Sequence, residues 1–287
     1  MKRERFDYIC SLGSSCLCAT ALREAGLRLS SGPFDWLMGT SLPFRADLIA
    51  HDFVGWLEVD DFERIAGDGH FTTVPYRNRK TGFKHIHDFA QGRPFAETYP
   101  EVREKYRRRI ARFFAQVRSS RRVLFVWVEN PVENERLSDA DIVRARETLT
   151  EKFPGVGIEF LVIDRAANGV ERGRLGRTAY GWRVFCDYRR KAAPGEGAVT
   201  RPWDIDTRPI LAVLANFETS DYRDMALRGR YATSRREAAF ALYGARTVFG
   251  YAVARLKVKV CKLLLNRLRR KGADMRRLFE CQLGGVR

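Results

Sequence analysis

The stretch YICSLGSSCLCATAL, residues 8–22, puts Cys16 directly after an apolar run, a glycine and two serines, where a helix should begin. A thiol attacks at neutral pH when its pKa is lowered, a base is near and it stays reachable. The free N–H groups and dipole of a helix N-terminus supply the first condition, and the same groups can hold an oxyanion. Cys10 falls inside the apolar run and Cys18 lies further into the helix, so neither shares that placement. Spacing alone still favours a small buried cysteine at position 16. A base must come from His51, His70, His85 or His87. His51 sits at a helix end and His70 in an irregular loop. His85 and His87 alternate along FKHIHDF, so a regular strand turns both to one face and Ile86 to the other. Asp88 then points away from His87 and orients it poorly. Glu129, Asn130 and Asp164 each follow an apolar strand, where a sheet delivers polar groups to a site. Ser15, Asp88 and the Asp35-Trp36 pair are the expected pocket or oxyanion lining, although PFDW also reads as a rigid turn with an aromatic plug. Cys16 and Cys18 have no second pair and no histidine at ligand spacing, so neither a metal nor another cofactor is expected.

The elements that must position these residues are legible as periods. Residues 7–13 read as a buried strand ending in glycine, with Ser14 or Ser15 capping a helix to about residue 26. Residues 41–53 look helical, with Ser41 as cap and Pro43 in the first turn, and 54–69 are irregular and acidic. Residues 71–89 read as a hairpin turning between Asn78 and Gly82. Over 97–118 the pattern is an amphipathic helix, with Tyr106, Ile110, Phe113, Phe114 and Val117 on one face and arginines elsewhere. Apolar strands at 123–128 and 158–163 flank a capped helix at 138–153, the signature of a parallel sheet covered by helices. Residues 182–188 add a strand and 208–216 a helix. The expected fold is α/β, a layered sheet flanked by helices, followed by one long basic amphipathic helix over 234–271.

Charge divides the chain in the same way. The net charge of +17 is concentrated at one end: residues 221–287 hold 17 Lys and Arg against 5 Asp and Glu, the rest 35 against 30. A nearly balanced body of 1–220 with a basic extension of 221–287 is therefore expected, and nucleic acid ranks last among partners because no recognition motif accompanies the charge. Through its apolar stripe the extension could dock on the body, on a protein partner or on an anionic membrane surface. No secretory signal or membrane span is read, and the six cysteines lack a regular spacing, which points to thiols in the reducing cytoplasm, with peripheral membrane attachment as the alternative.

SLGSSC (11–16), SGPFDWL (31–37), HDF (87–89), EKYRRRIARF (104–113) and VLFVWV (123–128) follow one another in an order that resembles a largely bacterial family of papain-like cysteine peptidases of unknown function. The resemblance spans about 7–165. It implies a Cys-His pair on Cys16 and His87 and, through the Cys-His-Asn order, Asn130 as third member. An α+β papain-like fold is the architecture it suggests in place of the layered sheet. Trp127 stands where the family's strand would end in arginine. The function expected is thiol-dependent hydrolysis or acyl transfer on a peptide, amide or thioester. The alternative is a non-catalytic or carbohydrate-related accessory protein whose basic tail binds acidic polymer or membrane.

Overall fold

A computed structural model describes residues 3–67, 72–130, 136–166, 175–188 and 205–219. The chain separates into two units, Met1–Tyr222 and Arg223–Arg287. The helix expected over 234–271 lies outside the described residues, and so does His70.

The apolar runs form a five-stranded sheet in the order β2-β7-β8-β10-β9. Strands β2 (Tyr8–Ser11), β7 (Arg122–Val128), β8 (Gly157–Arg165) and β10 (Gly181–Cys186) are parallel, and β9 (Gly176–Thr178) closes one edge antiparallel. Continuous apolar strands need cover on both faces. Helices α1 (Cys16–Glu24) and α5 (Arg208–Leu214) pack Leu17, Ala21, Leu22 and Ile210 against Leu124, Val126, Leu161 and Val184. On the other face Phe113 of α3 (Phe95–Arg118) meets Phe125, and Phe153, which caps α4 (Asp139–Lys152), meets Phe113. Each buried side chain of this size contributes roughly 1.5–3 kcal/mol. The layered α/β expectation is met. A short parallel pair, β1 (Glu4–Phe6) with β11 (Phe217–Thr219), adds Phe6 and Phe217 to the α1 side. Among the described residues no helix is long and apolar enough to cross a membrane.

A second sheet, antiparallel and four-stranded, has the order β3-β6-β5-β4. The expected hairpin is its centre, β5 (Thr73–Asn78) and β6 (Lys84–Ala90), with Asn78 Oδ1 accepting from Thr81 N in the turn. Its flanks are β3 (Leu37–Met38) and β4 (Phe62–Arg64), too short to show a period in sequence. Aromatic rings fill its core, Phe34, Trp56 and Phe83 among them.

One side chain ties the two sheets. Arg45, on α2 (Leu42–Ala50), is fully buried. Its Nη1 donates to the carbonyls of Leu12 (3.2 Å) and Gly13 (2.5 Å), its Nη2 to Gly39 O (2.5 Å) and its Nε to Thr40 Oγ1 (3.2 Å). The guanidinium lies 5.3, 5.1 and 5.4 Å from the rings of Phe34, Phe83 and Trp127. A planar cation with a rigid fork suits this place, where aromatic faces and carbonyls replace water. The loop before Cys16 and the segment after β3 are thereby held together.

Candidate functional site

Cys16 opens α1 at the carboxyl edge of the parallel sheet. The ladder runs past β2 through Leu12 N to Val126 O at 2.9 Å, and then the chain must turn sharply. Gly13 makes the turn possible: a Cβ there would lie 2.3 Å from Cys18 Cβ. Ser14 donates its hydroxyl to Val128 O at 2.9 Å, pinning the turn to the end of β7. Of the two candidate caps Ser15 is the one used, its Oγ accepting from Leu17 N at 3.4 Å. Cys18 turns inward, with Sγ 3.3 Å from Val126 O.

Among the described cysteines Cys10, Cys18 and Cys186 are buried and Cys16 is half-buried. The lowered pKa expected from the helix mouth is not what the surroundings produce. Burial pushes the Cys16 thiol up, and its own backbone N–H pulls it only partly back. A thiol, not a preformed thiolate, therefore stands at the helix mouth.

The polar residues expected at the strand ends separate in space. Asn130 is buried just beyond Val128, whose carbonyl holds Ser14, so it belongs to the same edge as the Cys16 turn. Glu129 accepts from Arg165 N at 2.7 Å, and its carbonyl takes the Tyr188 hydroxyl at 2.6 Å. Asp164 pairs with Arg183 Nε at 2.6 Å, and Arg183 continues to Asp139 on α4. Glu129 and Asp164 thus brace strands and a helix start.

The histidines differ from the sequence reading. The step from Val74 to Tyr76 on β5 is matched by the step from His85 to Phe89 on β6, a bulge that breaks the strict alternation. His85 is fully buried, whereas His87 is exposed. The bulge also turns Asp88 inward, where His85 Nδ1 meets Asp88 Oδ2 at 2.7 Å and Tyr106 OH donates to the same oxygen at 2.7 Å. Lys105 Nζ donates to the other oxygen. Burial pushes the Asp88 carboxyl up, but the His85 and Lys105 partners outweigh it and hold it below the ordinary carboxylate range. The His87 and Trp36 rings lie nearly perpendicular, with centroids 5.9 Å apart. Although its side chain reaches solvent, partial desolvation by its neighbours lowers the His87 pKa, Asp88 raises it and Lys105 lowers it further, which favours the neutral imidazole that a base requires.

The PFDW turn divides its two polar-capable residues. Asp35 is buried, accepts from Gly32 N at 3.0 Å and pairs with Arg28 Nε at 3.1 Å. Burial pushes its carboxyl up to about 6 against the pull of Arg28, Arg109 and Arg112. Trp36 stays half-buried, with the Arg28 guanidinium 5.5 Å over its ring. Arg28, Arg45, Lys105, Arg109 and Arg112 carry this region, and the site reading by residue type passed over all of them. Arg112 shows why: it occupies a buried position on a helix whose arginines read as outward. The juxtaposition of the PFDW and EKYRRRIARF motifs was the available signal.

A layered α/β sheet with a thiol at a helix mouth on its carboxyl edge defines a class of thiol-bearing α/β proteins. Residues 7–164 match the family model described as "Putative papain-like cysteine peptidase (DUF1796)", and the chain belongs to that family. It is also similar to "Uncharacterized protein R408" of Acanthamoeba polyphaga mimivirus, 29% identical over 135 residues, which cover 40% of this chain and 59% of that relative. No solved structure matches.

Proposed function

We propose that the protein is a thiol-dependent hydrolase or acyltransferase acting on a peptide, amide or thioester, with Cys16 as nucleophile, His87 as base and Asn130 as the polar group that orients the pair. The observation that carries the reading is the half-buried Cys16 at the N-terminus of α1, where the other described cysteines are buried. Membership of a peptidase-like family supports it. Because burial raises the thiol, the resting pair is neutral. His87 takes the Sγ proton as sulfur attacks the carbonyl carbon, and N–H groups at the start of α1 receive the oxyanion. The imidazolium returns the proton to the departing amine or thiol. Water, deprotonated by the same imidazole, then cleaves the acyl-enzyme; an acceptor nucleophile in its place gives transfer.

A panel of electrophilic probes that mimic peptides, amides and thioesters, read by peptide mapping, tests this. At least one probe class should label Cys16 and spare Cys16→Ala; labelling spread over other cysteines, or none at all, contradicts it.

The charge of residues 221–287 favours a second reading, in which the protein is an accessory that holds acidic polymer or an anionic membrane through its tail, without catalysis.

A further inference from the structure

A cleft of about 710 Å³ opens beside the antiparallel sheet at a place the reaction above does not use, between the end of β4, the start of β5 and the start of α3. Two residues that interrupt regular structure shape it. Pro75 has no N–H to give to a ladder, and it stands where the register shifts, between Val74 paired with Phe89 and Tyr76 paired with His85. Gly92, at φ 77°, turns the chain from β6 toward Pro94, where α3 begins. We propose that this cleft binds a carboxylic acid with an apolar body, the carboxylate on Arg64 and Tyr76 and the body against Phe95 and Pro75. Its volume is that of a small-molecule site, which runs from about 300 to 1,000 Å³ and sets a few polar groups among apolar walls. The half-buried rings of Tyr76 and Phe95 lie 4.8 Å apart between centroids, and Phe89 backs Phe95 at 5.1 Å, so the wall is braced from behind.

The polar groups select the head of the ligand. Arg64 and Tyr76 pair directly across β4 and β5, so their side chains leave the same face of the sheet as neighbours, and both line the cleft. Neither the Arg64 guanidinium nor the Tyr76 hydroxyl has a hydrogen-bond partner among the described residues. Arg93 also lines the cleft but is committed, its Nη1 and Nη2 donating to the Glu101 carboxylate at 3.0 and 2.9 Å. No described lining residue is acidic. One uncommitted guanidinium beside one hydroxyl matches the two oxygens of a single carboxylate. The aromatic and proline walls next to them take up an apolar body. Binding here does not depend on any role for Cys16.

A ligand-observed NMR titration of the full chain with hydrocinnamate tests the site. Hydrocinnamyl alcohol keeps the body without the charge, and acetate keeps the charge without the body. Hydrocinnamate should bind with a Kd of about 1 mM or tighter at about pH 7.5, and each of the other two about tenfold more weakly or worse. Arg64→Gln should weaken hydrocinnamate by about tenfold, and Arg64→Lys, which keeps the charge but loses the fork, should fall between. Arg108→Gln, exposed on α3 and paired with Glu104 outside the cleft, should change affinity by less than about twofold. Cys16→Ala should bind as the unaltered chain does. Arg64 is the variant of choice because it is exposed on a strand at the sheet's edge, and melting curves verify that each variant folds. Absence of hydrocinnamate binding, equal binding by Arg64→Gln, or binding of the alcohol or of acetate as tight as that of hydrocinnamate would each overturn the proposal.

Discussion

Cys16 and Gly13 show how few atoms fix the site. Burial outweighs the helix mouth at Cys16, so its alkylation by iodoacetamide should be slow near neutral pH and rise toward about pH 9, the range of an ordinary or raised thiol. It should still react before Cys10, Cys18 and Cys186, which are buried. Peptide mapping over a pH series checks both points; fast, pH-independent alkylation of Cys16 near neutrality would show a thiolate instead. At Gly13 the collision is with a Cβ, so Gly13→Ala should destabilise by about 1–3 kcal/mol. Adding Cys18→Ala should not rescue it, because the Cβ remains, whereas Cys18→Gly should recover part; chemical denaturation of the three variants decides. The helix cap and the exceptional position of Cys16 were legible in sequence because serines before an apolar period have one common use. The facing of His85 and His87 was not. Alternation assumes a regular strand, and a bulge leaves no mark in residue types.

At the scale of elements, the parallel core was legible and the joints were not. VLFVWV and IEFLVI announce buried strands on either side of a capped helix, and they are β7 and β8 around α4. The short strands β3 and β4 carry too few residues for a period, and they complete the sheet that holds His87. Arg45 joins that sheet to the Cys16 turn. Arg45→Ala would leave buried carbonyls without donors, so a loss of about 3 kcal/mol or more is expected, and Arg45→Lys should not restore it, because an ammonium cannot span the same acceptors while lying between rings. Urea unfolding measures the difference; an Arg45→Ala variant within about 1 kcal/mol of the unaltered chain would remove Arg45 from this role. The Asp88 cluster on α3 and β6 adds a pH dependence. Its carboxyl is depressed in the fold, so the native state binds fewer protons than the unfolded chain; the stabilisation is present above the ordinary carboxylate range and is lost as pH falls through and below it. Asp35 works in the opposite sense, since its carboxyl is raised to about 6, and its contribution is lost as pH rises from about 4 through 6. Melting temperature should therefore fall less steeply between about pH 5 and pH 3 in Asp88→Asn than in the unaltered chain. Parallel slopes would contradict the assignment.

Across the whole molecule, charge and chemistry divide between the body and the extension. Residues 221–287 hold most of the net positive charge. If they serve an anionic surface, co-sedimentation of the full chain with phosphatidylserine vesicles should be strong at low salt and weaken steeply as salt rises, since each basic residue near the surface contributes about 1 kcal/mol. Binding that ignores salt, or none, would remove that partner. The proposed chemistry needs both sheets of the body at once, Cys16 from the parallel sheet's edge and His87 from the antiparallel one. The most direct measurement is therefore the rate at which the best electrophilic probe acylates Cys16, followed against pH in the unaltered chain and in His87→Ala. The account predicts a rate that climbs as pH rises through a histidine pKa below about 6.5 and a drop of about a hundredfold or more in His87→Ala. An equal rate in His87→Ala across the pH series would contradict it.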